Sequence, residues 1–182
     1  PGWNKIELDA RLKVTIHPDL DISIAGGNGN KAAIIGFGID PFHPEMEEED
    51  IIKDLLDPGI SLPAITKKLY PLSGRFVIII LSPEISWLFP DAFALRQVHY
   101  CKDNQGNLWC ASESGALAEQ LGFREDPEAS EYRSALPKRS NLNELWLMND
   151  RSPYKEIKYL MANHYLDLKT GQVDRFWPTE DS

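Results

Sequence analysis

Cysteine is scarce: Cys101 and Cys110 are the only two in 182 residues. That excludes a secreted domain built on disulfides. Long apolar runs are also missing, and nothing approaches the ~18 consecutive apolar residues of a membrane-spanning helix. Basic residues are outnumbered, 19 Lys and Arg against 28 Asp and Glu, and the net charge is -9. Such a surface repels phosphate backbones. The bases in KKLY and KYLMANHYLDLK are scattered rather than gathered into a patch. Neither nucleic acid nor a membrane is therefore expected as a partner. The opening segment, PGWNKIELDARLKV, has no charged stretch leading into an apolar core, so no signal peptide is read and the expected compartment is the cytoplasm. Histidine is sparse too. His17, His43, His99 and His164 include no pair at helical ligand spacing, and only His99 has a cysteine near it in sequence. A zinc site needs about four ligands, so no metal is expected.

What is present is ordinary globular material. With 42% hydrophobic and 26% charged residues, the chain reads as one domain with a short appendix. At this length it buries about 70% of its unfolded surface and needs no metal or disulfide staple. Residues 3–16 alternate apolar and polar, which predicts a hairpin turning near Asp9-Ala10-Arg11. A short strand is expected at 21–24, then a loop at Gly26-Gly27-Asn28-Gly29-Asn30. A phosphate-binding glycine loop opens a helix, but this one leads into strand-like residues 32–39, so a hairpin loop is the better reading. Within that strand, Gly36 and Gly38 mark places where the backbone is closely approached or kinked.

The acidic run EMEEED at 45–50 leads into Ile51, Ile52, Leu55 and Leu56 at helical spacing. Acids in a first turn suit the helix dipole, and a helix start explains them better than a metal site does. Asp57-Pro58-Gly59 stops this helix. A second helix is read over 60–69, with Pro63 in its first turn. Residues 74–81 read as one strand, apolar apart from Arg75, the mark of a strand buried on both faces. Strands at 85–89, 97–101 and 108–111 follow, the last two around a polar loop. Asp103, Gln105 and Asn107 in that loop faintly resemble a calcium loop without its closing Glu. If the hairpin turned tightly on Gln105-Gly106, Cys101 and Cys110 would face each other. Ser112 is read as the N-cap of a helix that Gly122 ends. Beyond it come a polar stretch at 124–139 with room for a short helix, an apolar cluster at Leu142, Leu145, Trp146, Leu147 and Met148, a strand or short helix at 154–161, and two short strands around a Lys169-Thr170-Gly171 turn.

Three segments in order, LSGRFVIIIL, PDAFALRQVHYC and GNLWCASESGALAEQLG, are similar to the amino-terminal glutaminase domain of asparagine synthetases and other class II glutamine amidotransferases. In that family a "dGxFa" strand precedes "RDxxGxxPLYY", a hairpin and "xFASExKAL". Gly74-Arg75-Phe76 matches the first, Asp91 with residues 95–100 the second, and residues 111–117 the third. NHYLDLKTGQVDRFWP at 163–178 resembles the connector that leads into an ATP-using synthetase domain. The resemblance covers residues 72–122 and returns at this connector. It implies an α+β fold of the Ntn-hydrolase type: a four-layer αββα sandwich of two antiparallel sheets. Residues 1–160 would form the glutaminase-like domain and 161–182 the connector.

The departures bear on function. The family's nucleophile is an amino-terminal cysteine whose own α-amine is the base. Here the sequence starts at Pro1, and Cys101 and Cys110 lie inside strands. The family's "NGEIYN" loop supplies the oxyanion donor and the glutamine contacts. Residues 35–40 stand in its place without the asparagine amide or the acid. No catalytic residue is therefore assigned. Gly36, Gly38, Gly74, Arg75, Asp91, Arg96, Ser112 and Glu113 are read as structural or vestigial-pocket residues, with Asp91 pairing Arg96 and Arg75 pairing an acid such as Glu113. No cofactor is expected. The expected role is scaffold or interaction module, partnered by a carboxyl-terminal ATP-using synthetase domain or another protein, with a homodimer as one arrangement. The rival reading is a glutamine-hydrolysing domain whose true amino terminus is altered. A free Pro1 acting as a base, as in tautomerases, lacks the β-α-β pattern of that group.

Overall fold

The computed structural model describes residues 2–27, 29–56, 60–135, 147 and 149–178. Pro1, the expected helix stop at Asp57-Pro58-Gly59 and all of the 142–148 cluster except Leu147 lie outside them. In chain order the elements begin with β1 (Asn4–Glu7), β2 (Lys13–Ile16), β3 (Ile22–Gly27), β4 (Asn30–Ile39), α1 (Glu48–Leu55) and α2 (Leu62–Leu69). They continue with β5 (Ser73–Leu81), β6 (Ser86–Pro90), β7 (His99–Lys102), β8 (Leu108–Ala111), α3 (Ser114–Leu121), α4 (Pro127–Ala135), β9 (Lys158–Tyr159), β10 (His164–Asp167) and β11 (Val173–Arg175).

The apolar run of β5 sits inside a six-stranded antiparallel sheet of order β11-β10-β6-β5-β4-β3. Side chains alternate across a strand, and here both faces are covered. Ile34, Phe76, Ile78 and Ile80 pack against Ile51, Ile52 and Leu55 of α1 and Ile65 and Leu69 of α2. Ala33, Ile35, Val77, Ile79 and Leu81 pack on the opposite side against Leu8, Ile16, Val98 and Leu160. Burial on two sides is why β5 reads as an unbroken apolar stretch. Ile78 has no exposed surface, so Ile78→Ala should lower the unfolding free energy by about 3–4 kcal/mol. Urea denaturation measures it, and a loss below about 1 kcal/mol would contradict a packed two-faced strand.

Local chemistry sets the two helices on the first face. Glu47 and Asp50 form a reciprocal capping box at the start of α1, and Glu48, Glu49 and Asp50 occupy its first turn. The acidic run is thus a helix start. Ser61 caps α2 by accepting the Ala64 N–H at 3.4 Å, and Lys67 and Lys68 lie in its last turn, where the helix dipole favours cations.

On the second face lie the β1-β2 hairpin and a three-stranded sheet of order β8-β7-β9. Beyond the small sheet, Leu117 and Ala118 of α3 pack with Cys101 and Ile157. The described part is therefore mixed α and β with three antiparallel sheets, where two were expected. The hairpin and the small sheet share one apolar cluster against β4 and β5, but no backbone ladder joins them. The stretch read as a connector contributes β10 and β11 to the large sheet, through Leu166↔Leu88 and Asp167↔Trp87. Phe89 holds it there, stacked on Tyr165 at 5.5 Å and edge-on to Phe176 at 5.4 Å.

Three local expectations are corrected. The 26–30 loop is tighter than expected, because β3 and β4 stay paired to Gly27↔Asn30, with Gly29 at φ +80°. Glu113, not Ser112, is the N-cap residue of α3, by extended backbone and without a side-chain bond. The β7-β8 register pairs Cys101 with Trp109 and Tyr100 with Cys110. The two cysteines are offset by one residue, point to opposite faces, and are both free.

That register follows from Asp103. Its carboxylate accepts the N–H groups of Gln105 and Asn107, the Asn107 side-chain amide at 2.9 Å and the Trp109 indole at 3.0 Å. Its oxygens are committed to donors of the loop itself. The Asn107 amide first, then the Trp109 N–H, pull the acid down to about 2, below the ordinary carboxylate value of about 3.9. A depressed acid stabilises the fold fully above its unfolded value and loses that contribution as pH falls through the folded one. The melting-temperature gap between the protein and its Asp103→Asn variant should therefore shrink as pH falls from about 4 to about 2. A gap constant over that range would show that ionisation of Asp103 plays no part.

Candidate functional site

Six of the eight residues singled out in the sequence meet at one end of the large sheet. There the end of β4 lies against the start of β5 and the end of β6, through Phe37↔Arg75, Gly38↔Gly74 and Val77↔Pro90. The three glycines permit this approach. Gly74 has φ +142°, and a methyl on it would drive into the carbonyl oxygen of Phe37. Gly36 has φ +103°, and a methyl there would meet the Arg75 carbonyl and lie 2.7 Å from Nε of Arg96. A methyl on Gly38 would lie 2.7 Å from Cδ1 of Ile34. Only glycine fits the first two conformations without strain.

Asp91 shapes the loop beside them. It is 1% exposed. One carboxylate oxygen accepts the N–H groups of Phe93 and Leu95 at 3.2 and 2.9 Å, and the other accepts that of Arg96 at 2.8 Å. Its own N–H donates to Phe76 O. The loop is thus pinned to β5 through backbone bonds rather than through the Asp91–Arg96 ion pair expected from the sequence. Ala94 takes φ +50° inside this turn, and the Tyr159 hydroxyl donates to its carbonyl at 3.1 Å.

The two arginines interlock. Nε of Arg75 donates to Leu95 O at 3.1 Å, and Nε of Arg96 donates to Arg75 O at 3.3 Å. Burial first, and then the neighbouring Arg75 charge, lower the Arg96 guanidinium below its ordinary value, with Asp91 opposing. Among the described residues neither arginine forms an ion pair. The expected pairing of Arg75 with Glu113 is not made. Around the pair stand large apolar side chains in water: Phe37 is 59% exposed, Phe93 79% and Leu95 54%. Sequence reasoning missed them. Their signal was Phe37 flanked by two glycines on a strand, and Phe93 and Leu95 in a segment too short to bury them.

Ser112 and Glu113 are placed elsewhere, between β8 and α3 beside His99. Burial lowers the His99 imidazole, against the Ser112 backbone and the Glu113 charge, which raise it. Its Nδ1 is buried without a hydrogen-bond partner among the described residues. The His99 and Tyr159 rings lie 5.5 Å apart, so Tyr159 connects this corner to the Ala94 turn across 65 residues of sequence. The Cys101 thiol is buried and pushed up by that burial, with Asp103 and Glu156 adding to it.

Two grooves lie on the helical side. One, of about 440 Å³, runs past Leu62, Thr66, Tyr70 and Trp177. The other, of about 340 Å³, has Asp40, His43 and Asp54 on its wall. Among the described residues no group of three or more His, Cys, Asp or Glu could hold a metal ion. Nor is any helix there long and apolar enough to cross a membrane. At the glycine–arginine end the described residues offer cationic and apolar chemistry, which can hold an anion or an apolar group. No protein-family model matches the chain, and no curated protein matches it significantly.

Proposed function

We propose that this chain is a degenerate glutaminase-like domain of the class II amidotransferase type, which does not hydrolyse glutamine and acts as a scaffold or interaction module. Splitting an amide needs an activated nucleophile and a preorganised donor for the oxyanion. The observation that carries the reading is the Gly36–Arg96 contact. Where the family's oxyanion loop would stand, residues 35–40 are Ile-Gly-Phe-Gly-Ile-Asp, and the Arg96 guanidinium lies against Gly36. No asparagine amide stands in this stretch, and its one acid, Asp40, accepts the Phe42 N–H at 2.9 Å in the turn that follows. The thiol of Cys101 is closed inside the core beneath α3.

The order of framework elements supports the same reading. Helices α1 and α2 cover one face of the six-stranded sheet, and the hairpin and the three-stranded sheet cover the other, which is compatible with the αββα arrangement proposed for the fold. The proposed partner is an ATP-using synthetase domain or another protein, in the cytoplasm. An electrophilic chloroketone analogue of glutamine tests this. Intact-mass analysis of the protein as encoded by its gene should show no adduct that excess glutamine suppresses. A single glutamine-protected adduct would support the rival, glutamine-hydrolysing reading.

A further inference from the structure

We propose that Arg75, Arg96, Phe37, Phe93 and Leu95 form the docking face for a protein partner that presents an acidic segment with apolar side chains. This names the partner chemistry of the interaction module proposed above and rests on that reading.

Charge is the first argument. The chain carries 28 acids against 19 bases, yet its two interlocked guanidiniums have no ion-pair partner among the described residues. Asp91, the nearby acid, is buried and engaged by three backbone N–H groups. Holding two like charges together without a counterion is unfavourable unless something anionic arrives. Both guanidiniums are also preorganised by backbone carbonyls, so an incoming carboxylate meets fixed donors. Arginine and exposed aromatics are the residue types enriched where interfaces hold their energy.

Shape is the second argument. Phe93 at 79% exposure stands out from the surface, whereas small-molecule sites are concave and enclose their ligand. A protruding ring in the same Asp91-pinned turn as Arg96 suits a segment laid across it. A second copy docking symmetrically through this face would bring four guanidiniums together, which opposes it.

Fluorescence anisotropy with the full chain tests the proposal, using a labelled peptide of alternating glutamate and leucine and its glutamine–leucine counterpart. The acidic peptide should bind at least about ten-fold tighter than the neutral one, and Arg75→Gln should remove about that factor. Added salt should weaken the acidic peptide alone. Arg75 is exposed, so the variant should keep its melting temperature. Phe93→Ala, also on the surface, should weaken binding a few-fold without touching charge and serves if Arg75→Gln fails to fold. Equal binding of the two peptides, or binding indifferent to Arg75→Gln, overturns the proposal. Inorganic phosphate binding as tightly as the peptide overturns the protein-partner assignment, as does a dimer that Arg75→Gln dissolves. Glutamate release from glutamine would overturn the proposed function and leave a positive peptide result standing. Absent peptide binding does the reverse.

Discussion

Gly74→Ala should cost about 3–5 kcal/mol of stability, and lower the melting temperature by about 10 °C. Two effects add. At φ +142° a side chain strains the backbone, and the new methyl would press on the carbonyl of Phe37 across the ladder. Relief would require β4 and β5 to separate at Gly38↔Gly74, opening the end of the sheet that positions Arg75 and Arg96. Gly106 is the control. It also has positive φ, +83°, but an added methyl there meets nothing within 4 Å, so Gly106→Ala should cost only about 1–2 kcal/mol. Thermal melts of both variants decide the point. Equal losses would mean that the close approach of the two strands is not what excludes a side chain.

Asp91→Ala should cost a similar amount, about 3–5 kcal/mol, by a different route. It removes one buried acceptor and leaves three N–H groups without a bond, each worth about 1–3 kcal/mol when left unsatisfied. The groups lie at the edge of water, and loop opening recovers part of that loss. Asp91→Asn should be milder, at about 1–2 kcal/mol, because one oxygen still serves Phe93 and Leu95 while the new amide opposes the Arg96 N–H. Hydrogen exchange adds a local readout. The amides of Phe93, Leu95 and Arg96 should lose protection in Asp91→Ala far more than those of β5. Unchanged protection at these three would contradict the pinning role of the carboxylate.

Much of the framework was legible in residue order. Two-faced burial writes itself as six apolar residues in a row at 76–81, and α1 announces itself through acids ahead of Ile51, Ile52 and Leu55. Of the eight residues singled out from the sequence, Gly36, Gly38, Gly74, Arg75, Asp91 and Arg96 converge, and Ser112 and Glu113 do not. Their bonding was not legible. From sequence, an acid and a base five residues apart suggest an ion pair. Only the folded turn shows that the Asp91 carboxylate reaches three backbone donors first. The one-residue offset of Cys101 and Cys110 depended on Asp103 closing a longer turn than Gln105-Gly106 suggests. Ser112 failed as a cap because Glu113, one residue on, already has the extended backbone that starts α3. The Tyr159–Ala94 bond had no local signal at all, since its partners are 65 residues apart.

We propose that the fold-building parts of a glutaminase domain persist here without its chemistry. The most direct measurement is the release of glutamate from glutamine by the protein as encoded by its gene, with and without an added partner domain. Release should be no faster than in buffer under both conditions. Turnover above that background, lost on removal of a single side chain, would contradict it.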